Sequence, residues 1–156
     1  MEQYVVSVTG HRELFHPEED IAANFKHYLS AISDMYPKKQ LVVQTGMALG
    51  FDLLAAEFCL ANNIPYIACL PFQSHLAGNE VFELLKSHAS QVKVISTGEY
   101  DVSKYIIRDD YLAKNCNEVY AYLVKEGKSG TKTTVNLAKK YSKMVTYFQD
   151  LAYDEF

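Results

Sequence analysis

Short apolar runs alternate with amphipathic stretches along this chain, and the alternation restricts the fold more than any other feature. The apolar runs occupy residues 4–8, 40–44, 65–70, 92–96, 118–124 and 144–148. Between Ile21 and Met35, apolar residues recur every three or four positions until Pro37 ends this helical pattern. The last three helices are predicted over 79–90, 103–115 and 131–143. Strict alternation of short strands and helices implies parallel strands with right-handed crossovers. The sequence therefore predicts a three-layer α/β fold, with a mostly parallel sheet of about six strands and helices on both faces.

The length and composition predict one globular domain spanning residues 1–156. With 49% apolar and 22% charged residues the chain can bury a single core, and it contains no linker, internal repeat or low-complexity tract. A formal net charge of −4 argues against broad nucleic-acid binding. Three cysteines without metal-ligand spacing indicate reduced thiols, and the sequence has neither an export signal nor an apolar stretch of ~18 residues. We therefore expect a cytoplasmic protein without a membrane partner.

Gly10, His11 and Arg12 follow the first predicted strand, at the end of the strand where open α/β sheets bind their ligands. Glycine permits a tight turn, and the Arg12 guanidinium offers a planar fork of donors for phosphate. The His11 imidazole can donate to an oxygen or transfer a proton. Arg12 could instead pair with Glu13 or with the acids that begin the first helix. We predict that Gly10, His11 and Arg12 contact a phosphate-bearing ligand.

A second group of candidate residues follows the second and third predicted strands. Thr45 and Gly46 lead through Gly50 and Asp52 into a helix, whose free N-terminal amides attract anions. Asp52 is expected either to cap backbone amides or to accept a hydrogen bond from a sugar hydroxyl. Phe72 could stack on a base or simply pack in the core. Thr45, Gly46, Asp52 and Phe72 are therefore candidate ligand contacts.

The segment from Ser129 to Thr134 carries the densest group of phosphate-binding residue types. Ser129, Gly130, Thr131 and Thr134 lie at the start of the fifth predicted helix, where hydroxyls and backbone amides form a concavity suited to phosphate. An ordinary helix cap explains Ser129 or Thr131 singly but not the whole cluster. The segment is not a P-loop, because Tyr122 stands where that motif needs its first glycine. Six lysines between positions 125 and 143 form either a solvated helix face or a basic surface beside this cluster.

Arg108 and Tyr111 are predicted to share one face of the fourth helix, where they could combine a phosphate contact with a stacking ring. Arg108 could equally pair with Asp109 or Asp110. The sequence has no serine nucleophile elbow, no HExxH and no His/Cys cluster suited to zinc. We therefore predict neither a metal site nor a catalytic residue.

Taken in order, these motifs resemble the SLOG superfamily of Rossmann-like proteins, which includes the LOG phosphoribohydrolases and the DNA-processing protein DprA. The likeness is greatest to the small YpsA-related group. It covers nearly the entire chain and is carried by residues 8–12, 45–52 and 70–72, by Arg108 with Tyr111, and by residues 129–134. The resemblance implies that the strand ends bind a nucleotide or a nucleotide-derived ligand of the ADP-ribose kind. It also implies a sensor or effector module that associates into homo-oligomers.

The sequence departs from the LOG enzymes at the residue that catalyses their reaction. Those enzymes carry a glutamate after the glycine and threonine of their loop, whereas no acid occupies the four positions after Thr131. This departure favours a binding module over a phosphoribohydrolase-type hydrolase of nucleotide N-glycosidic bonds, which would use His11 or Asp52 as its base. A further alternative is a DprA-like single-stranded DNA binder. The acidic net charge opposes it, so we expect a small phosphorylated nucleotide as the ligand and no nucleic-acid partner.

Overall fold

The computed structural model describes residues 1–149, in which strands and helices alternate from the first strand to the last. The strands are β1 (Gln3–Gly10), β2 (Gln40–Thr45), β3 (Tyr66–Leu70), β4 (Gln91–Val94), β5 (Glu118–Tyr122) and β6 (Met144–Tyr147). The helices are α1 (Glu18–Met35), α2 (Phe51–Ala61), α3 (Glu80–His88), α4 (Ser103–Lys114) and α5 (Gly130–Lys140).

The strands are all parallel and form one sheet in the order β4-β3-β2-β1-β5-β6. The chain moves outward from β1 to β4, returns across the sheet through α4, and continues from β5 to β6. The connections after β1 and β5 therefore leave in opposite directions, which creates a crevice at the carboxyl ends of these two neighbours. The predicted three-layer, Rossmann-like α/β fold is confirmed.

The two faces of the sheet bury side chains of different size. Toward α1 and α2, the rings of Phe25, Phe51 and Tyr120 meet with centroids 5.1 Å, 5.8 Å and 5.9 Å apart. Toward α4 and α5, the buried cluster is built from smaller residues, including Ala113 and Val119. Aromatic pairs of this kind add about 0.5–1.5 kcal/mol beyond the burial of their surface. The start of α2, which carries Phe51, is therefore firmly anchored in the core.

The boundaries of the elements differ from the sequence prediction by no more than three residues. Helix α5 ends at Lys140 because Ser142 adopts a left-handed φ of 59°. Strand β5 ends at Tyr122 because the amides of Val124 and Lys125 donate to a side chain of the β1 loop instead of a neighbouring strand. Both differences arise from backbone contacts that apolar periodicity does not report.

The three cysteines are free thiols, of which Cys59 and Cys69 are buried and Cys116 is half-buried. Burial raises the pKa of the Cys59 and Cys69 thiols to about 12, so both remain protonated and unreactive at neutral pH. Among the helices of residues 1–149, none combines the length and apolar character needed to cross a bilayer.

Candidate ligand-binding site

A cavity of about 760 Å³ opens at the carboxyl ends of the strands. Its volume is within the range of about 300–1,000 Å³ that is usual for small-molecule sites. The loops after β1, β2, β3, β4 and β5 contribute to its wall, together with α4. The sequence candidates that line it are Gly10, His11, Arg12, Asp52, Arg108, Ser129, Gly130 and Thr131. One cavity thus brings together residues from the ends of β1, β2 and β5.

Close packing holds the loop after β1 against the start of α2. A Cβ atom on Gly10 would lie 2.5 Å from the Phe51 side chain, closer than such atoms approach. Gly50 has a φ of 90°, and a Cβ atom there would lie 2.3 Å from the carbonyl oxygen of Arg12. The Phe51 amide donates to the His11 carbonyl at 3.1 Å. Glycine is required at both positions, and the two loops form one rigid wall.

His11 joins the β1 loop to the loop that follows β5. Its Nε2 atom accepts hydrogen bonds from the amides of Val124 at 3.1 Å and Lys125 at 3.3 Å. Because backbone amides only donate, Nε2 carries no proton and the neutral ring holds its proton on Nδ1. Burial, and then the charge of Lys125, lower the pKa of His11 and favour this neutral form. The Nε2 atom is therefore occupied, and only Nδ1 can donate to a ligand.

The N-terminus of α5 presents two backbone amides to the cavity. The Ser129 hydroxyl accepts from the Lys132 amide at 3.1 Å, and the Ser129 carbonyl accepts from the Thr133 amide at 3.0 Å. The amides of Gly130 and Thr131, the first two of the helix, have no intrahelical acceptor. Both residues line the cavity. The positive end of the helix dipole and these two donors make this wall suited to an anion.

Cationic side chains surround the start of α5. Arg12, Lys125 and Lys128 all line the cavity. Within residues 1–149 the salt bridges are Lys39 with Glu2 and Arg108 with Asp109, so none of the three cavity cations is paired. The guanidinium of Arg12 therefore has no acidic partner within the described residues, and the alternative that it pairs with Glu13 is not observed there.

A buried ion pair forms the floor of the cavity. Arg108 Nε donates to Asp109 Oδ1 at 2.9 Å, and a second guanidinium nitrogen donates to the Gly46 carbonyl. Burial raises the pKa of Asp109, although Arg108 and then Thr134 oppose the shift. Much of the Arg108 guanidinium is thus committed to the protein itself. Among the described residues, no group of three or more His, Cys, Asp or Glu side chains is placed to hold a metal ion.

Asp52 lies in the first turn of α2 and is only 6% exposed. Its Oδ2 atom accepts from the Ala48 amide at 3.3 Å, which agrees with a capping role. Its Oδ1 atom is buried and has no hydrogen-bond partner within residues 1–149. Burial raises the pKa of Asp52 to about 7, against the opposing effects of Arg108 and the Ala48 amide. Near neutral pH the carboxyl is therefore partly protonated, unlike an exposed aspartate.

Thr45, Gly46 and Thr134 lie behind the cavity wall and support residues that line it. The Thr45 hydroxyl donates to the Asp52 carbonyl at 3.2 Å, and the Thr134 hydroxyl donates to the Gly130 carbonyl at 3.1 Å. The Gly46 carbonyl anchors the guanidinium in the floor. These residues position the site without reaching the cavity themselves.

An aromatic rim, which the sequence analysis missed, lines the cavity at Tyr100 and Tyr105. Phe72 is buried beneath it, with ring centroids 5.5 Å from Tyr100 and 5.6 Å from Tyr105 in edge-to-face contact. Tyr100 is 64% exposed, so its ring is accessible to a ligand. The sequence signal for this rim is Tyr100, which lies in the turn-rich loop after β4. The sequence analysis predicts no ligand contact at the end of that strand.

Tyr111 lies outside the cavity, although it is three residues from Arg108. Its hydroxyl accepts from Lys93 Nζ at 3.0 Å, and its ring packs against the buried cluster that includes Val42 and Leu112. The structure therefore does not bring Tyr111 together with the other candidate residues.

Comparison with known structures shows which solved proteins share the fold of this chain. DNA processing protein A (DprA) from Streptococcus pneumoniae matches with a TM-score of 0.69 and 19% identity, over 93% of this chain and 50% of that one. DprA from Helicobacter pylori, described for its single-stranded DNA binding mode, matches with a TM-score of 0.68 and 18% identity, over 94% and 65%. The protein TM1055 matches with a TM-score of 0.57 and 18% identity, over 92% and 72%. The chain shares their fold.

This likeness is limited to the fold, because the identities are 18% and 19%. The chain spans about half the length of the Streptococcus pneumoniae DprA chain that it matches. No protein-family model and no curated protein sequence matches it. The chain therefore shares the DprA fold, and both the SLOG relationship and the assignment to the YpsA-related group stay predictions.

Proposed function

We propose that the protein binds a small phosphorylated nucleoside, such as an adenine nucleotide or ADP-ribose, in the cavity at the strand ends. The observation that carries this proposal is the chemical difference between the two ends of one cavity. Within residues 1–149, cations without an acidic partner and the free amides of α5 lie beside β1 and β5, whereas the aromatic rim lies in the loop after β4 and on α4. A nucleotide has the same division between a charged phosphate and a flat base.

The phosphate is assigned to the wall formed by Arg12 and the start of α5. There, the amides of Gly130 and Thr131 and the guanidinium of Arg12 supply charge-assisted donors from two loops. The base is assigned to the rim of Tyr100 and Tyr105, because aromatic rings stack on bases with a gain of about 1–3 kcal/mol per base. The resemblance to the SLOG superfamily and the lack of an acid in the four positions after Thr131 support a sensor or effector role.

Hydrolysis of the N-glycosidic bond is the second candidate function, and Asp52 favours it. A carboxyl with a pKa of about 7 is suited to general acid or base catalysis near neutral pH. His11 does not fit the role of base at Nε2, because two amides occupy that atom. Release of free base from a nucleotide, followed by chromatography, distinguishes this function from simple binding.

Single-stranded DNA is a further candidate ligand, favoured by Lys125 and Lys128 at the cavity and by the shared fold with DprA. The expectation that nucleic acid is not a partner rested on the net charge of −4, which does not describe this local surface. The affinity for a DNA strand that contacts the protein through several phosphates falls steeply with salt, whereas the affinity for one mononucleotide does not. Oligonucleotide titrations at two salt concentrations separate the two ligands.

Calorimetry with AMP, ADP-ribose, NAD and cyclic nucleotides tests the proposal. We expect at least one of them to bind, and Arg12→Ala to weaken that binding roughly tenfold to a hundredfold, because a hydrogen bond to a charged group contributes about 1.5–3 kcal/mol. Lys38→Ala, at an exposed lysine far from the cavity, is the matched control. If no nucleotide binds to the wild-type protein, the proposed function is wrong.

Gly130→Asp provides a second test of the phosphate wall. A Cβ atom on Gly130 would lie 3.9 Å from Asp109 Oδ2, an ordinary contact, so a side chain is sterically accommodated. The added carboxylate would repel an anion at the start of α5. We expect Gly130→Asp to abolish nucleotide binding and Gly130→Ala to retain most of it.

A further inference from the structure

The carboxyl of Asp52 has an oxygen atom that no other group in residues 1–149 satisfies. Oδ1 is buried without a partner, and Oδ2 makes one long hydrogen bond to the Ala48 amide. An unsatisfied buried polar atom costs about 1–3 kcal/mol, and such atoms are rare in native structures. The torsion that turns a carboxyl about its Cβ–Cγ bond is soft, so Oδ1 can turn toward the cavity that Asp52 lines.

Two other buried titratable side chains that line the cavity already have partners. His75 Nε2 bonds the Met47 carbonyl at 3.0 Å, and Asp109 is paired with Arg108. Asp52 therefore differs from its neighbours, because its free oxygen has bonding capacity left for a ligand.

The sheet order places Asp52 between the two ends of the cavity. Strand β2 lies between β1 and β3, and Asp52 is in the first turn of the helix that follows β2. The phosphate wall belongs to β1 and β5, and the aromatic rim belongs to the loop after β4 and to α4, which carries Tyr105. In a nucleotide the sugar is bonded between the phosphate and the base. The part of the ligand that lies beside Asp52 is therefore the sugar.

We propose that Asp52 Oδ1 forms a hydrogen bond with a ribose hydroxyl, and that this bond makes the site select ribonucleotides over their deoxy counterparts. The inference rests on the proposed function and names the specificity of the same cavity. A hydroxyl both donates and accepts, so it satisfies the carboxyl whether that group is ionised or protonated. A site built to bond a hydroxyl rejects the analogue that lacks it, because its own polar atom is then left unpaired.

Calorimetric titration of the full chain with AMP, 2′-deoxy-AMP and 3′-deoxy-AMP tests the inference. For the wild-type protein we expect AMP to bind at least about tenfold more tightly than one or both deoxy analogues, the analogue that loses affinity identifying the hydroxyl. Asp52→Ala should bind all three with equal affinity. Asp34→Ala, at an exposed acid of α1, should keep the wild-type preference.

Asp52→Asn keeps the shape of the side chain and is used if Asp52→Ala does not fold. Its amide retains a hydrogen-bonding group, so we expect a reduced but measurable preference for AMP. Equal affinity of the wild-type protein for all three nucleotides would overturn the specificity while leaving nucleotide binding intact. A preference that survives in Asp52→Ala would overturn it as well. Failure of these three nucleotides and of ADP-ribose, NAD and cyclic nucleotides to bind would contradict both the inference and the function on which it rests.

Discussion

The His11 ring cannot take up a second proton and keep both of its hydrogen bonds at Nε2. The amides of Val124 and Lys125 can only donate, so protonation at Nε2 breaks both contacts and releases the loop after β5. His11 therefore holds in place the loop after β5, which carries Lys125 and Lys128. Its residue type indicated a ligand contact, but its partner amides lie more than a hundred residues away in sequence, where local reasoning has no access.

We expect His11→Ala to speed amide hydrogen exchange at Val124 and Lys125 without changing exchange in the centre of β5. The lowered pKa of His11 gives the same effect a pH dependence, because the unfolded ring protonates first as the pH falls below about 6.5. The stability that depends on the neutral ring is therefore present above that pH and is lost below it. His27→Ala, at an exposed histidine of α1, is the control. Unchanged exchange at both amides in His11→Ala would contradict this role.

The contribution of Asp52 to stability depends on pH in the opposite direction to that of His11. Burial raises the pKa of its carboxyl from 3.8 to about 7, so the folded protein holds the proton more tightly than the unfolded chain does. Its contribution to stability is therefore greatest below about pH 4 and declines as the pH rises toward 7. Asp52→Asn removes this dependence.

We expect the free energy of unfolding of Asp52→Asn, relative to the wild-type protein, to increase by roughly 2–4 kcal/mol between pH 4 and pH 8. Urea denaturation at several pH values measures it. Asp34→Asn, at an exposed acid, should follow the wild-type profile. Parallel profiles for Asp52→Asn and the wild-type protein would show that the carboxyl is not perturbed by burial.

At the scale of elements, the junction between the β1 loop and α2 depends on the absence of a side chain at Gly50. Gly78 offers a matched comparison, since its φ of 86° is close to the 90° of Gly50, but no atom lies within 4 Å of its Cβ position. An alanine at either position must adopt a positive φ, which is strained for a residue with a side chain. Only at Gly50 does it also collide with the backbone of Arg12.

We therefore expect Gly78→Ala to lower the free energy of unfolding by about 1–2 kcal/mol and Gly50→Ala to lower it by at least ~2 kcal/mol more. Chemical denaturation of both variants measures the difference. Similar losses in the two proteins would mean that the β1 loop moves aside easily and that the wall is not rigid.

The elements themselves were predictable because each depends on local spacing. The apolar stripe of α1 and the buried runs of β3 and β5 are visible in the sequence, and their boundaries are within three residues of the prediction. The aromatic rim was not predictable, because Tyr100 gains its significance only from the position of Phe72 beneath it. The perturbed carboxyl of Asp52 likewise depends on burial by residues that are distant in sequence.

At the scale of the whole molecule, the order of the strands was the missing information. The alternation of elements predicts parallel strands, but it does not determine which strands are neighbours, so it could not predict that β5 lies beside β1. Because β5 is next to β1, the loops that follow these two strands meet, and Arg12 and Gly130 line the same cavity. The sequence identified the donors at three strand ends, and only the sheet order determines which of them face one another.

A ligand in this cavity should protect several distant segments from hydrogen exchange at the same time. We expect a bound nucleotide to slow exchange in residues 10–13, 48–52, 100–105 and 125–131, because loops from opposite faces of the sheet line one cavity. Residues 58–65 extend to the opposite end of the sheet and should not change. Mass spectrometry of the full chain measures all of these segments in one experiment. Protection confined to 125–131 would indicate an anion held by α5 alone.

The contact between Gly10 and Phe51 links the binding site to the core in a way that genetics can detect. A side chain at position 10 must displace the Phe51 ring, which lies 2.5 Å from where its Cβ would be. Substitutions of Gly10 should therefore be rescued by glycine at position 51, which removes the Phe51 Cβ as well as its ring, although that second change alone leaves a void among the aromatic rings. Suppressor selection starting from Gly10→Ala would then recover changes at a buried position that touches no ligand.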